Sequence, residues 1–237
     1  EYDGKDFNGW QKQPTKLNIQ GTIEQAIKQI TGEEVQLDAS GRTDAGVHAF
    51  GQVANFKTNS QIPIDKFAIA INSKLKRSIV IKKAEEVDER FHSRLNCKKK
   101  TYRYVINNTP EGTAIYRNLE THIPQKLNVE KMQEAVKFFE GEHDFKAFKA
   151  SGTSSKSSVR TIYKAEVYRD GDRIMIELTG NGFLYNMVRI IAGTLVEVGL
   201  GKIEPNTIPE IIENKKRENA GKTLPPNGLY LMKVIYD

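Results

Sequence analysis

The segment GRTDAGVHA, residues 41–49, concentrates ionisable and hydroxyl-bearing side chains. It places the carboxylate of Asp44 two residues after the guanidinium of Arg42 and directly after the hydroxyl of Thr43, with His48 following. Glycine and aspartate favour turns for ordinary reasons, so a charged hairpin turn without chemistry is the alternative interpretation. A turn does not require this density of functional groups, and the segment is therefore a candidate site.

A carboxylate at Asp44 is suited to act as a nucleophile, as a general base or as one metal ligand. A metal site is disfavoured because Asp44 and His48 supply only two ligand groups. The remaining histidines are scattered without ligand spacing: His92, His122 and His143. The sequence has neither a nucleophile elbow nor a Walker phosphate-binding motif. A neighbouring arginine such as Arg42 would favour the ionised carboxylate and keep it available near neutral pH.

Length and composition describe a globular chain of one large domain or two ordinary ones. It has 237 residues, of which 38% are hydrophobic and 28% charged. No apolar run is long enough to span a membrane, and no signal-peptide pattern opens the chain, so no membrane partner is expected. The single cysteine, Cys97, excludes a disulfide framework within the chain and is compatible with a reducing cytoplasm.

The net charge of +6 is unevenly distributed, with +5 of it in residues 96–237. Two stretches there contain cations and no acid. They hold Lys98, Lys99, Lys100 and Arg103, and then Lys146, Lys149, Lys156, Arg160 and Lys164. Such an excess is expected of a face that binds RNA or DNA, the alternative being a solvated lysine-rich surface. The interleaved aromatic residues could stack on unpaired bases or belong to the core: Tyr102, Tyr104, Phe145 and Phe148.

Hydrophobic periodicity predicts a first domain over residues 1–95. Ile23, Ala26, Ile27 and Ile30 share one face of a helix that stops at Gly32. Further along, short strands at 35–37 and 52–56, a helix after Pro63 and a strand at 78–87 are expected. The polar stretch at 88–96 is the predicted connection to the next domain.

The second predicted domain covers residues 96–237. Strands are expected at about 98–107, 159–168, 173–179 and 228–236, and helices at 128–139, at 184–199 and after Pro205. Asp170-Gly171 predicts a hairpin turn, and the Ser/Gly/Thr/Lys cluster at 150–158 predicts a mobile loop. Interspersed helices and hairpins favour an α+β fold with mainly antiparallel sheets.

An ordered set of motifs resembles the tRNA pseudouridine synthase A family over nearly the whole chain. The motifs are EYDG at 1–4, GWQ at 9–11, SGRTDAGVHA at 40–49, GQV at 51–53, FHSR at 91–94, KTYRYVI at 100–106, GEHDF at 141–145, NGFLYNMVR at 181–189 and GLYL at 228–231. One such string would be weak, whereas the ordered set is highly specific. Since the family has an apolar strand before EYDG, we expect further residues before Glu1.

This resemblance implies a pseudouridine synthase fold, in which two α+β domains are joined around a central basic cleft. The implied activity is isomerisation of uridine to pseudouridine at positions 38, 39 and 40 of the tRNA anticodon stem-loop. The resemblance implies a homodimer whose two subunits both touch the tRNA. Isomerisation needs no cofactor, and none is expected. A non-catalytic RNA-binding module and a related synthase with another RNA target are the alternatives.

The resemblance also assigns roles to individual residues. Asp44 falls on the catalytic aspartate, which could attack the sugar, attack the base or remove a sugar proton. Arg42 falls on an arginine that assists base flipping, Tyr102 on the aromatic that stacks on the uracil, Arg189 on the basic partner of the aspartate and Leu229 on an apolar contact to the base. Core packing is the alternative for Tyr102 and for Leu229. The expected phosphate contacts are Lys98, Lys99, Lys100, Arg103, Lys146, Lys149 and Arg160.

Overall fold

The computed structural model describes residues 1–152 and 157–237 and divides into two compact units. The first unit comprises Glu1–Lys98 and Leu231–Asp237, and the second comprises Lys99–Tyr230. The last seven residues thus belong to the first unit, whereas the sequence pattern alone assigns them to the second domain with a boundary after residue 95. Lys156 and part of the loop expected at 150–158 lie outside the described residues.

Helices α1 (Ile19–Thr31) and α2 (Ile64–Asn72) are the two helices of the first unit's described residues. The side chain of Asn18 caps α1 by accepting a hydrogen bond of 2.8 Å from the Gly21 amide. Gly32 ends the helix in the left-handed region, with φ of 77°. The predicted first helix and its stop at Gly32 are confirmed.

Three two-residue strands frame the candidate site in the first unit: β1 (Asp38–Ala39), β2 (His48–Ala49) and β3 (Ala54–Asn55). Strand β1 pairs antiparallel with β3, so the segment GRTDAGVHA lies in the long connection between them. No strand forms at 35–37, where one was expected; the nearest strand is β1, which begins at Asp38. Strand β3 lies inside the range 52–56 in which a strand was expected.

The predicted strand at 78–87 is wrong. Only Ile79 of this segment forms a β-bridge, with Tyr2. The backbone amide and carbonyl of Ile81 are hydrogen-bonded instead by the side-chain amide of Asn72, at 2.8 and 2.9 Å. Because these groups are already satisfied by a side chain, the ladder does not continue past Val80.

The second unit contains an antiparallel sheet with the strand order β4 (Lys99–Asn107), β8 (Arg173–Gly180), β7 (Val159–Asp170) and β6 (Gly141–Asp144). Strand β5 (Thr121–His122), which the sequence did not indicate, pairs parallel with the end of β4. The hairpin turn predicted at Asp170-Gly171 joins β7 to β8, with Gly171 at φ of 56°. A ninth strand, β9 (Leu229–Ile235), starts in the second unit and continues into the first.

Three helices complete the second unit: α3 (Val129–Lys137), α4 (Met187–Gly199) and α5 (Ile208–Asn214). Helix α4 is buried on nearly all sides, as its apolar sequence predicts. Phe145 and Phe148 are fully buried, and Phe148 packs against the rings of both Phe139 and Phe145. Phe145 and Phe148 therefore belong to the core and do not stack on bases. The α+β fold class is confirmed. Within the described ranges, none of the helices combines the length and apolar character needed to cross a membrane.

Candidate functional site

The backbone around Asp44 is held by hydrogen bonds within the first unit. The carbonyl of Thr43 accepts from the Trp10 amide at 3.0 Å, and the carbonyl of Asp44 accepts from the Val47 amide at 3.1 Å. The peptide groups on both sides of the Asp44 Cα atom therefore each make a fixed contact. A carboxylate on such a backbone is presented in a defined position.

Two glycines let other segments approach this loop closely. A Cβ atom at Gly9 would lie 2.6 Å from the Thr43 carbonyl oxygen, and the φ of Gly9 is 80°. A Cβ atom at Gly4 would lie 2.0 Å from the Val47 carbonyl oxygen. Both distances are too short for any side chain, which explains why glycine occupies these places in the EYDG and GWQ motifs.

The side chains of the loop divide into exposed and buried groups. Arg42 is exposed and Asp44 is half-buried, whereas Thr43 and His48 are buried. The Nδ1 atom of His48 lies 3.0 Å from a carboxylate oxygen of Asp3, so this histidine has a supporting role inside the unit. The loop presents a carboxylate and a guanidinium outward. No three His, Cys, Asp or Glu side chains in the described part of the chain are grouped as a metal site would require.

In the second unit, Tyr102 lies on β4 opposite Leu178 of β8. Its side chain is 8% exposed, and its ring meets the ring of Phe183 edge-on, with centroids 5.1 Å apart and an interplanar angle of 80°. An edge-to-face pair fixes the orientation of both rings. The structure therefore brings the KTYRYVI motif against the NGFLYNMVR motif at this point.

Arg189 lies in the first turn of α4, where the helix dipole disfavours a cation. Its Nε donates to the Leu224 carbonyl and its Nη1 donates to Oδ1 of Asn186, each at 2.7 Å. Asn186 precedes the helix in the left-handed conformation, with φ of 60°, and its side chain makes no capping hydrogen bond. Arg189 is thus a cation at the positive end of a helix dipole, held by a residue in an energetically unfavourable backbone conformation. Strained backbone of this kind is typical of functional sites.

Tyr104 is hydrogen-bonded to the carbonyl of Pro225, the residue that follows Leu224 in the chain. Its hydroxyl donates to the Pro225 carbonyl at 2.7 Å and lies 2.6 Å from Oγ1 of Thr121. Burial raises the pKa of Tyr104, against the opposing influence of the nearby Arg189 charge, so the hydroxyl remains a donor. Tyr104 is fully buried and belongs to the core.

Leu229 begins β9 and is buried, at 6% exposure. It follows Gly228, where a Cβ atom would lie 2.7 Å from the Val105 carbonyl oxygen. The close approach of the backbone to β4 requires glycine here and fixes the position of Leu229. Within the second unit, Tyr102 shares strand β4 with Tyr104, the Arg189 charge acts on the Tyr104 hydroxyl, and a Cβ atom at Gly228, the residue before Leu229, would lie 3.0 Å from the Tyr104 ring.

The cations expected to bind phosphate differ in their availability. Lys98 and Lys146 are exposed, and Lys99, Lys100, Lys149 and Arg160 are half-buried. The Arg103 guanidinium is engaged by Glu177, with Nε and Nη2 at 2.7 and 2.6 Å from the same carboxylate oxygen. The Arg160 Nη1 donates to the Val159 carbonyl at 2.6 Å, and burial lowers its pKa. The Lys99 ammonium lies 4.8 Å from the centre of the Tyr163 ring.

Several residues of the site were not identified from the sequence: Phe183, Asn186 and Leu224. The first two lie inside a quoted motif, and the tolerance of asparagine for the left-handed region was an available signal for Asn186. Leu224 acts through its backbone carbonyl and carries no such signal. Its role depends on the packing of α4 against the segment that follows α5.

The chain is similar to known proteins over its whole length. The sequence model of the tRNA pseudouridine synthase family matches residues 1–96 and 135–237. The chain is 53% identical over 236 residues to the tRNA pseudouridine synthase A of Acetivibrio thermocellus, covering all of this chain and 97% of that protein. It is 52% identical over 237 residues to that of Ruminiclostridium cellulolyticum, and 48% identical over 235 residues to that of Brevibacillus brevis.

Proposed function

The chain belongs to the tRNA pseudouridine synthase family, and we propose that it isomerises uridine at positions 38, 39 and 40 of the tRNA anticodon stem-loop. The observation that carries the proposal is the similarity over the whole length of the chain, which includes the loop that carries Asp44. The enzyme is an isomerase: substrate and product have the same atoms.

The reaction exchanges one bond to the ribose for another. The bond between N1 of uracil and C1′ breaks, the base turns, and C5 bonds to C1′. A proton leaves C5 and N1 gains one, so neither an oxidant nor a donor group is consumed. The bond is inaccessible in a stacked helix, and extruding the nucleotide costs a few kcal/mol.

Asp44 starts this reaction in our proposal. Its carboxylate has three possible targets: C1′ of the sugar, the uracil ring, or a proton of the sugar. The backbone contacts on both sides of Asp44 support the assignment, because a reacting group held in place avoids the loss of orientational freedom during the reaction. Arg189 is assigned as the cationic partner that favours the ionised carboxylate.

The remaining site residues bind the extruded nucleotide. Tyr102 is assigned to stack on the uracil and Leu229 to contact it. The ring pair with Phe183 that orients Tyr102 and the close backbone approach at Gly228 beside Leu229 support these roles. Arg42 is assigned to occupy the position in the base stack that the extruded uridine vacates. Its exposure on the loop beside Asp44 supports this role.

The proposal includes the wider assembly. The first unit, Glu1–Lys98 with Leu231–Asp237, carries the aspartate loop, and the second, Lys99–Tyr230, carries the stacking tyrosine, the basic partner and most of the phosphate-binding cations. Lysine and arginine side chains position tRNA through its phosphates without reading sequence. We further propose that the enzyme is a cytoplasmic homodimer whose subunits share the tRNA, which light scattering of the free and tRNA-bound protein would measure.

The experiment is tritium release from tRNA labelled at C5 of uridine, with the target uridine at position 38, 39 or 40 or moved to another place in the arm. Release from substrates with uridine at the three positions, and not from the moved ones, is the expected result. Binding without release would identify a non-catalytic RNA-binding protein. Release from the moved uridines alone would identify a synthase with another target.

A further inference from the structure

We infer that Tyr2 and Gln52 are positioning residues that hold the Asp44 loop in its reactive geometry, an inference that rests on the proposed function. Neither residue has a part in the assignments above, although EYDG and GQV stood out among the sequence motifs. Their side chains meet at the entrance of the loop, where they contact the residues that precede Asp44.

The hydroxyl of Tyr2 is the centre of this arrangement. It lies 2.7 Å from Oγ1 of Thr43, the residue next to Asp44. The backbone of Tyr2 exchanges two hydrogen bonds with Ala49, at 2.7 and 3.1 Å. Tyr2 is therefore hydrogen-bonded to Thr43, before Asp44, through its side chain and to Ala49, at the end of the loop, through its main chain.

The side-chain amide of Gln52 ties the same entrance from a second direction. Its Nε2 donates to the Gly41 carbonyl at 2.8 Å and to the Tyr2 hydroxyl at 3.4 Å. Its Oε1 accepts from the Ser40 hydroxyl at 2.7 Å and from the Val53 amide at 3.2 Å. Donors surround one end of the amide and acceptors the other, so only one orientation of Gln52 satisfies all four groups.

These contacts surround the Tyr2 hydroxyl. It accepts a hydrogen bond from Gln52 and shares another with Oγ1 of Thr43. Burial raises the pKa of Tyr2 to about 12, so the phenol keeps its proton throughout the neutral range. The tyrosine ring is 5% exposed and lies against Trp10, with centroids 6.2 Å apart. Neither Tyr2 nor Thr43 is placed to meet a substrate, and both act through Asp44.

The test compares pseudouridine formation in a single turnover with tRNA affinity. Tyr2→Phe removes only the hydroxyl, and we expect the rate to fall on the order of 10- to 100-fold, as small displacements of a reacting group do. The Kd for tRNA should stay within about twofold, because the phosphate contacts are elsewhere. Thr43→Val should match this loss, and Thr43→Ser, which keeps a hydroxyl, should restore most of the rate.

Coupling between the two hydroxyls is the sharper measurement. If they act as one unit, Tyr2→Phe combined with Thr43→Val should lose no more rate than either single variant. Multiplied losses, or single variants at the wild-type rate, would overturn the inference. If Tyr2→Phe fails to fold, the contrast between Thr43→Val and Thr43→Ser decides alone: equal rates for these two would overturn it.

Tyr236→Phe is the matched control. It deletes a hydroxyl in the same unit that donates to the Ser93 carbonyl at 2.8 Å, away from the loop. We expect lower thermal stability and an unchanged rate. A rate loss in Tyr236→Phe equal to that in Tyr2→Phe would show that general destabilisation is the cause. If the wild-type protein forms no pseudouridine, the proposed function fails, whereas a normal wild-type rate with a normal Tyr2→Phe rate rejects only the positioning role.

Discussion

Arg189 and Leu224 are joined by two hydrogen bonds that run in opposite directions. The side-chain Nε of Arg189 donates to the Leu224 carbonyl at 2.7 Å, and the Leu224 amide donates to the Arg189 carbonyl at 3.3 Å. The guanidinium is thereby fixed to a backbone segment as well as to Asn186. This double link gives the cation at the start of α4 a defined direction, as the role proposed for Arg189 requires.

Substitutions of Asn186 distinguish the effect of its strained backbone from the effect of its hydrogen bond with Arg189. Asn186→Gly relieves the left-handed backbone but removes the Oδ1 acceptor, and Asn186→Ala removes the acceptor while adding strain. We expect both variants to lose turnover several-fold, and Asn186→Ala to be less stable than Asn186→Gly by about 1 kcal/mol. Urea unfolding and tritium release measure the two effects.

Lys215 provides the control for this comparison. It is the other non-glycine residue with positive φ in the described ranges, at 57°. Lys215→Gly relieves the same kind of backbone without touching Arg189, so turnover should be unchanged. Full turnover in Asn186→Gly would contradict the role given to its side chain.

Asp144 makes folding stability depend on pH. Its carboxylate accepts a hydrogen bond of 2.5 Å from Ser158 and pairs with Lys215 at 2.9 Å, and these contacts lower its pKa. A carboxyl whose pKa is lower in the folded state stabilises the protein above its unfolded pKa, and the stabilisation is lost as pH falls through the folded pKa. Asp144→Asn should therefore reduce the free energy of unfolding by about 1 kcal/mol at pH 7.

The same difference should shrink as the pH falls below about 4, because the wild-type carboxyl then takes up its proton. Urea unfolding across this range measures it. Asp172→Asn, an exposed change in the turn between β7 and β8, serves as the control and should be nearly neutral. A difference for Asp144→Asn that is independent of pH would show that its charge is not responsible.

The lysine run at 98–100 and Arg103 should differ in their effect on tRNA binding. Replacing the three lysines by alanine should weaken binding and reduce the salt slope by roughly 0.7 to 0.9 for each lost phosphate contact. Arg103→Ala should change the slope little, because Glu177 already engages that guanidinium. Titrations at several salt concentrations measure both. An unchanged slope for the triple variant would show that the run does not meet RNA.

Much of the fold follows from local sequence. The periodicity before Gly32 predicted α1, Asp170-Gly171 predicted the hairpin of β7 and β8, and an apolar run predicted α4. These elements are decided by residues close together in the chain. The expected strand at 78–87 failed because the partner of Ile81 is a side chain, that of Asn72, which periodicity does not report.

In the candidate site, too, features that depend on neighbouring residues were predicted, and contacts between distant residues were not. The GRTDAGVHA motif pointed to Asp44 because its functional groups are adjacent in sequence. Tyr2 contacts Thr43 from 41 residues away, and Gln52 reaches Tyr2 across 50 residues. Contacts of this kind form only on folding. The motifs therefore indicated which segments belong to the site, and the structure showed which contacts their residues make.

Pseudouridine formation by Asp44→Asn decides whether Asp44 starts the reaction, because this change keeps the shape of the side chain and removes its charge. We predict tRNA binding within a few-fold of the wild-type Kd, with neither tritium release nor pseudouridine detected in the product. Asp6→Asn, an exposed change in the same unit, should be fully active. Turnover by Asp44→Asn at the wild-type rate would contradict the assignment of Asp44 as the residue that starts the reaction.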